Sequence, residues 1–171
     1  MQKGKPRVAV FIDGENLRLT LGVIGRWAID WKSFIHFLEW QLEGNVKEAH
    51  YYGAEKVNGV DRNNSYFDSL ILSNINVVKI PSKWKYVNGA PKIICQADPY
   101  ITTDMIDVQD DFDVVVLVSG DGDFLAPLEL LYKRKKSVCI ISSSDQLSSD
   151  LQNGKFKIFD LKEIKRFIRL Y

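Results

Sequence analysis

"VLVSGDGDFLAPL", Val116 to Leu128, sets two aspartates one glycine apart directly after an apolar run. Asp-Gly-Asp after a strand fits a turn and helix cap, and it also fits one wall of a metal site, so its surroundings decide. The run that precedes it, "DVVVLVSG", has companions along the chain: "RVAVFI", "VKEAHYYG", "INVVKI", "SVCIIS" and "KFKIFDL". Near-continuous apolar runs of this length, rich in β-branched residues, are strands covered on both faces. Amphipathic stretches lie between them, at Trp31 to Leu42, Asp61 to Ile75, Pro99 to Val108, Phe124 to Lys133, Gln146 to Leu151 and Leu161 to Leu170. The alternation predicts an α/β fold with a mostly parallel central sheet wrapped by helices. "KWKYVNGAPKII" carries Asn88-Gly89 at its middle, which predicts a β-hairpin insertion near residues 83–94.

The chain has 171 residues, enough for one domain over 7–171 behind a flexible N-terminus at 1–6. Hydrophobic residues make up 46% and charged residues 26%, which excludes a disordered or supercharged class. Lys and Arg number 23 against 22 Asp and Glu, so net charge points to no partner. The run Val8 to Ile12 is too short for a signal-peptide core or a membrane span, and a cytoplasmic protein without a membrane partner is expected. Cys95 and Cys139 are isolated, which argues against a disulfide framework or a zinc site.

Both acidic clusters follow strands. "VAVFI" runs into Asp13-Gly14-Glu15-Asn16, and "VVVLV" runs into Ser119-Gly120-Asp121-Gly122-Asp123. Open α/β sheets bind ligands outside the carboxyl ends of their strands, where strand order reverses. With the first strand central and the fourth beside it, Asp13 meets Asp121 and Asp123 in one crevice. Asp98-Pro99 adds a third source, with Asp98 as a helix cap. Asp104 lies six residues on, far around the helix, and ranks below Asp98. Carboxylates gathered in one cleft repel unless a cation neutralises them, and oxygen ligands without Cys or His select Mg²⁺ or Mn²⁺. Such an ion serves phosphodiester hydrolysis, with Ser119 or Asn16 orienting water or phosphate.

In this order, "VFIDGENL", "ADPYITTDMI", "VVLVSGDGDFLAPLELL" and "SVCIISSSDQLSSDL" resemble the motifs of the NYN domain family. That resemblance implies a single-domain, three-layer, PIN-like Rossmannoid fold and a metal-dependent ribonuclease. It implies Asp13, Asp98, Asp121 and Asp123 as metal-site acids, Asp104 as a supporting acid, an active-site role for Asn16, and Ser119 beside the site. The chain departs from the pattern at Gln96-Ala97, where the family often carries a basic residue. It departs again near Lys155 and Lys157, where an acid usually precedes the last strand.

The expected substrate is RNA, single-stranded or locally unpaired, since no groove-reading helix motif is present. The alternative is a PIN-like module that binds RNA or protein without turnover. A phosphatase or phospho-acceptor domain fits less well, because the first strand is followed by Asp13-Gly14-Glu15 and not by D-x-D. Asp107, Asp110, Asp111 and Asp113 read as solvated surface. Lys133 to Lys136 complement a helix carboxyl end, with nucleic-acid binding as the alternative. In "KWKY", cations beside aromatic faces suit single-stranded bases, and Trp84 and Tyr86 equally suit packing against the body or a second subunit, a homodimer. His36 and His50 read as structural, and Trp27, Trp31 and Trp40 as core or interface residues.

Overall fold

Along Arg7–Asp13 the side chains are divided between two cores. Val8, Val10 and Ile12 enter one core, and Ala9 and Phe11 enter another on the opposite face. A strand with no solvent face needs a layer on each side, and helices supply both. The computed structural model describes residues 4–171 apart from 58, 59, 62, 63 and 88. Its strands are β1 (Arg7–Asp13), β2 (Asn45–Ala54), β3 (Lys56–Val57), β4 (Val60–Asp61), β5 (Asn76–Ile80), β6 (Ser82–Val87), β7 (Ala90–Cys95), β8 (Val114–Val118), β9 (Ser137–Ser142) and β10 (Lys157–Asp160). Its helices are α1 (Gly14–Val23), α2 (Trp31–Gln41), α3 (Asn64–Ile71), α4 (Asp98–Asp107), α5 (Leu125–Lys133), α6 (Ser149–Gln152) and α7 (Leu161–Ile168).

Six strands form one parallel sheet in the order β10-β9-β8-β1-β2-β5. These are the six apolar runs of the sequence. The chain lays β2 and β5 on one side of β1, then returns to build β8, β9 and β10 on the other, so strand order reverses beside β1. Val8 to Ile12 of β1 pair in register with Val114 to Val118 of β8, which brings Asp13 and Ser119 to the same level at the carboxyl end. The first core adds Leu17 of α1, Phe34 and Leu38 of α2, Phe67 and Leu70 of α3, and Ile164 of α7. The second adds Ile101 and Met105 of α4, Leu128 and Leu131 of α5, and Leu151 of α6. Each fully buried Leu, Ile or Phe stabilises the fold by roughly 1.5–3 kcal/mol, so the two layers hold the sheet ends firmly.

The hairpin forms as expected: β6 and β7 pair antiparallel from Ser82↔Cys95 to Val87↔Ala90, with Gly89 in the left-handed region at φ 79°. Asn88 lies outside the described residues, as do residues 1–3 of the segment expected to be flexible. The helix expected from Asp61 starts instead at Asn64, because Val60-Asp61 pairs antiparallel with Lys56-Val57. Helix α1 was absent from the periodicity because its apolar stripe is thin: only Gly14, Leu17 and Thr20 are buried. Trp27 and Trp31 are core residues, whereas Trp40 is 64% exposed.

Candidate metal centre

Asp13 ends β1 and begins α1. Its extended backbone, φ −73° and ψ 101°, turns the Oδ1 atom toward the free N–H groups of the first helical turn. Oδ1 accepts from Glu15 N at 3.2 Å and from Asn16 N at 3.0 Å. Oδ2 accepts from the Ser119 hydroxyl at 3.3 Å, and the Ser119 Oγ in turn accepts from Asp121 N at 3.3 Å. A single serine thus ties the ends of β1 and β8 together. Asp13 is buried, and burial pushes its carboxyl up to about 6; the hydrogen bonds oppose the rise and the Asp98 charge adds to it.

Two glycines let these ends approach. A Cβ on Gly14 would run into the Tyr51 ring and lie 2.6 Å from the Tyr52 carbonyl oxygen, so α1 can start against β2 only without a side chain there. A Cβ on Gly120 would strike the Gln146 carbonyl and lie 2.6 Å from Ser142 Oγ. The Gly120 N–H donates to Asn16 Oδ1 at 3.0 Å, and its carbonyl accepts from Ser148 N at 2.9 Å. Asn16 therefore locks α1 to the loop after β8.

Asp121 caps the short turn Gly122–Phe124, its Oδ1 accepting from Asp123 N at 3.0 Å. Buried Phe124 anchors that turn in the second core. Asp98 arrives from α4, which follows the hairpin beyond β5. Its carboxylate is not spent on capping: Ala97, already helical at φ −82° and ψ −25°, takes the cap position without a side-chain bond, and Asp98 is the first helical residue. The expected capping role of Asp98 is thereby corrected. Ligand oxygens of Asp98, Asp121 and Asp123 lie within 4.8 Å of one another. Burial raises the Asp98 carboxyl above its ordinary range, and the charges of Asp121 and Asp123 raise it further. Among the described residues no lysine or arginine forms an ion pair with these three acids. An uncompensated, oxygen-only donor set is an acidic group that can hold a hard divalent ion.

Asp104 stands outside this trio. Its Oδ2 accepts from the Tyr52 hydroxyl at 2.6 Å, and burial and that bond keep the phenol protonated. Buried Ser142 at the end of β9 went unnoticed in the sequence, although strand-end position alone would have found it. Its Oγ faces Gly120 and has no hydrogen-bond partner among the described residues. Cys139, buried and pushed up to about 12, is no nucleophile.

A family model described as the NYN domain matches residues 7–162. The chain is 27% identical over 165 residues to the Low amplitude and bright protein LabA of Synechococcus elongatus, covering 95% of this chain and 87% of that one. In three dimensions it is similar to the crystal structure of a protein of unknown function from Vibrio parahaemolyticus. That likeness has a TM-score of 0.75 and 26% identity, and covers 98% of this chain and 99% of the other.

Proposed function

The chain belongs to the NYN domain family, and from that premise we propose that it is a ribonuclease dependent on Mg²⁺ or Mn²⁺. One observation carries this reading: Asp98 at the start of α4 converges with Asp121 and Asp123 of the loop after β8, beside buried Asp13, with no cation of the described residues to neutralise them. The six-stranded parallel sheet between helical layers is consistent with a PIN-like fold. Asp98, Asp121 and Asp123 would hold the ion, with Asp13 as the fourth acid. When bound, the ion polarises a phosphodiester and acidifies water. Asp13, brought near neutrality by burial, holds or accepts a proton at its carboxylate. Asn16 has its Oδ1 committed to Gly120, which leaves its amide N–H groups for a phosphate oxygen. Ser119 keeps Asp13 and Asp121 in register, and Asp104 supports the site from its bond to Tyr52.

RNA is the proposed substrate, since NYN domains are generally RNA-binding, and hydrolysis would leave a 5′-phosphate. No helix of the described residues is long and apolar enough to cross a membrane; the cytoplasm is the proposed setting. The test is cleavage of mixed single-stranded RNA with Mn²⁺, with EDTA, and by Asp121→Asn. Cleavage that needs Mn²⁺ and fails in the variant is expected. RNA bound tightly without metal-dependent cleavage would favour the silent binding module instead.

A further inference from the structure

The last segment of the chain has a charge unlike the whole. Residues 155–169 carry Lys155, Lys157, Lys162, Lys165, Arg166 and Arg169 against only Asp160 and Glu163, whereas the full chain has a formal net charge of +1. Asp160 is occupied, accepting from Lys162 N at 2.8 Å and Ser144 N at 3.0 Å. The cations lie among aromatic rings. Lys157 Nζ is 4.8 Å from the Phe159 ring centre and donates to the Gln41 carbonyl beside Trp40. Arg166 is 4.6 Å from Phe167 and Arg169 is 5.9 Å from Tyr171, whereas Lys165 lies over buried Trp27, away from Phe167. Trp40 of α2 joins them, 6.1 Å from Phe167, and both rings are largely open to solvent at 64% and 43% exposure.

Resting on RNA as the partner, we infer that this face, formed by α7, β10 and Trp40, is a docking surface for single-stranded RNA outside the acidic centre. A basic track takes the phosphates, and exposed aromatic rings beside it take unstacked bases in any sequence. The face connects to the centre through the loop after β9. Lys162 pairs with Asp145 of that loop, and the same loop packs on Gly120 through Gln146 and Ser148. β10 is also an outer strand of the sheet, an edge open to extension by a second copy of the chain. Charge decides against that occupant: two copies meeting here would set basic faces against each other, whereas a polyanion neutralises them. The four consecutive cations at Lys133–Lys136 are a natural comparison. They close and follow α5, whose Leu128 and Leu131 pack in the second core, so they lie across the sheet from α2 and α7, which pack in the first.

The experiment is fluorescence anisotropy of the full chain with a labelled mixed-sequence RNA of about 20 nucleotides, in EDTA so that nothing is cut. Lys157→Glu/Arg166→Glu is expected to raise Kd about tenfold and to lower the salt dependence of log Kd by about 1.4, two lost phosphate contacts. Trp40→Ala is expected to weaken binding about fivefold with the salt slope unchanged. Lys133→Glu/Arg134→Glu should stay within about twofold of wild type, and thermal melts verify that each variant is folded. Wild-type Kd in the Lys157/Arg166 variant, equal loss in the Lys133/Arg134 control, or no RNA binding by wild type overturns the inference. So does a dimer that Trp40→Ala disrupts while RNA binding is unchanged. If RNA binding depends on Lys157 and Arg166 but Mn²⁺ elicits no cleavage, only the ribonuclease reading falls; if cleavage is intact and the Lys157/Arg166 variant binds normally, only the docking surface falls.

Discussion

Two groups of aspartates sit at opposite ends of one parallel sheet. Asp13, Asp98, Asp121 and Asp123 gather at the carboxyl ends of the strands, while Asp107, Asp110, Asp111 and Asp113 cluster at the amino end. At the amino end the acids are exposed, and Asp113 pairs with Arg7 at 3.2 Å, which holds its carboxyl below the usual range. At the carboxyl end Asp13 and Asp98 are pushed up, by burial first and by neighbouring acids second. Residue type and number are the same in both groups. Strand direction makes the difference: loops at the carboxyl ends converge on the gap beside β1, and packed backbone there keeps water from Asp13 and from part of Asp98, while Asp123 stays exposed.

The sharpest break of this comparison is catalytic. Asp121→Asn keeps the shape of the side chain and an acceptor for Asp123 N, yet removes charge from the proposed metal site. Mn²⁺-dependent RNA cleavage should fall roughly 1,000-fold, as expected for losing several kcal/mol of transition-state stabilisation. Asp110→Asn should leave the rate within about twofold. Equal losses in the two variants, measured as initial rates on one RNA, would show that both groups act only through overall charge.

Next in size is stability, where the ends should differ in sign. A folded-state carboxyl near 6 against an unfolded value of 3.8 means that folded Asp13 binds its proton more tightly. The wild type therefore keeps this stability below about pH 4 and loses it as pH rises through 6. Asp13→Asn retains the cap acceptor and carries no charge to bury. In EDTA it should be more stable than wild type by up to about 3 kcal/mol above pH 7, with the gain vanishing below pH 4. Urea titrations at several pH values measure this, and a variant no more stable than wild type at pH 8 would remove burial as the cause.

Much of this geometry was legible in the residues. The six apolar runs, the hairpin and the meeting of β1 with β8 follow from patterns of one or two residue types at fixed spacing. Helix α1 was not legible, because its buried stripe is only Gly14, Leu17 and Thr20 and its start is set by Asp13, where the ligand reading outweighed that of a turn and cap. Asp98 carried the opposite ambiguity: Asp-Pro is a capping signature, yet the chain turns helical one residue earlier, at Ala97. The tie of Asp104 to Tyr52 had no local signal at all, since 52 residues separate them and only sheet packing brings them together. Capping and long-range bonds depend on backbone angles and tertiary contact, which hydrophobic period does not encode.

A smaller effect separates the ends by metal. Mn²⁺ at about 100 times its Kd stabilises a folded site by about 2.7 kcal/mol, or roughly 5–10 °C in Tm for a domain of this size. The rise should appear in wild type and in Asp110→Asn/Asp111→Asn. It should be absent from Asp121→Asn/Asp123→Asn, and a rise that survives there would place the ion elsewhere.

The smallest effect belongs to the pair that looks strongest on geometry. Arg7 meets Asp113 through two side-chain bonds, Nε to Oδ2 at 3.2 Å and NH2 to Oδ1 at 3.3 Å, and its backbone N–H adds a third at 2.8 Å. Both side chains are about half exposed, so water already solvates the charges and salt screens what attraction remains. Asp113→Asn preserves the backbone acceptor and should lower Tm by no more than about 2 °C at neutral pH. Because the Asp113 carboxyl is depressed in the fold, its contribution is present above the ordinary carboxylate range and disappears as pH falls through the folded value. The melting curves of variant and wild type should therefore converge in acid, the reverse of Asp13→Asn, whose curve joins wild type in acid from above. A loss at neutral pH as large as the Asp13→Asn gain would mean that the amino-end acids are as electrostatically exposed to the fold as the buried ones, and the contrast between the two ends would be gone.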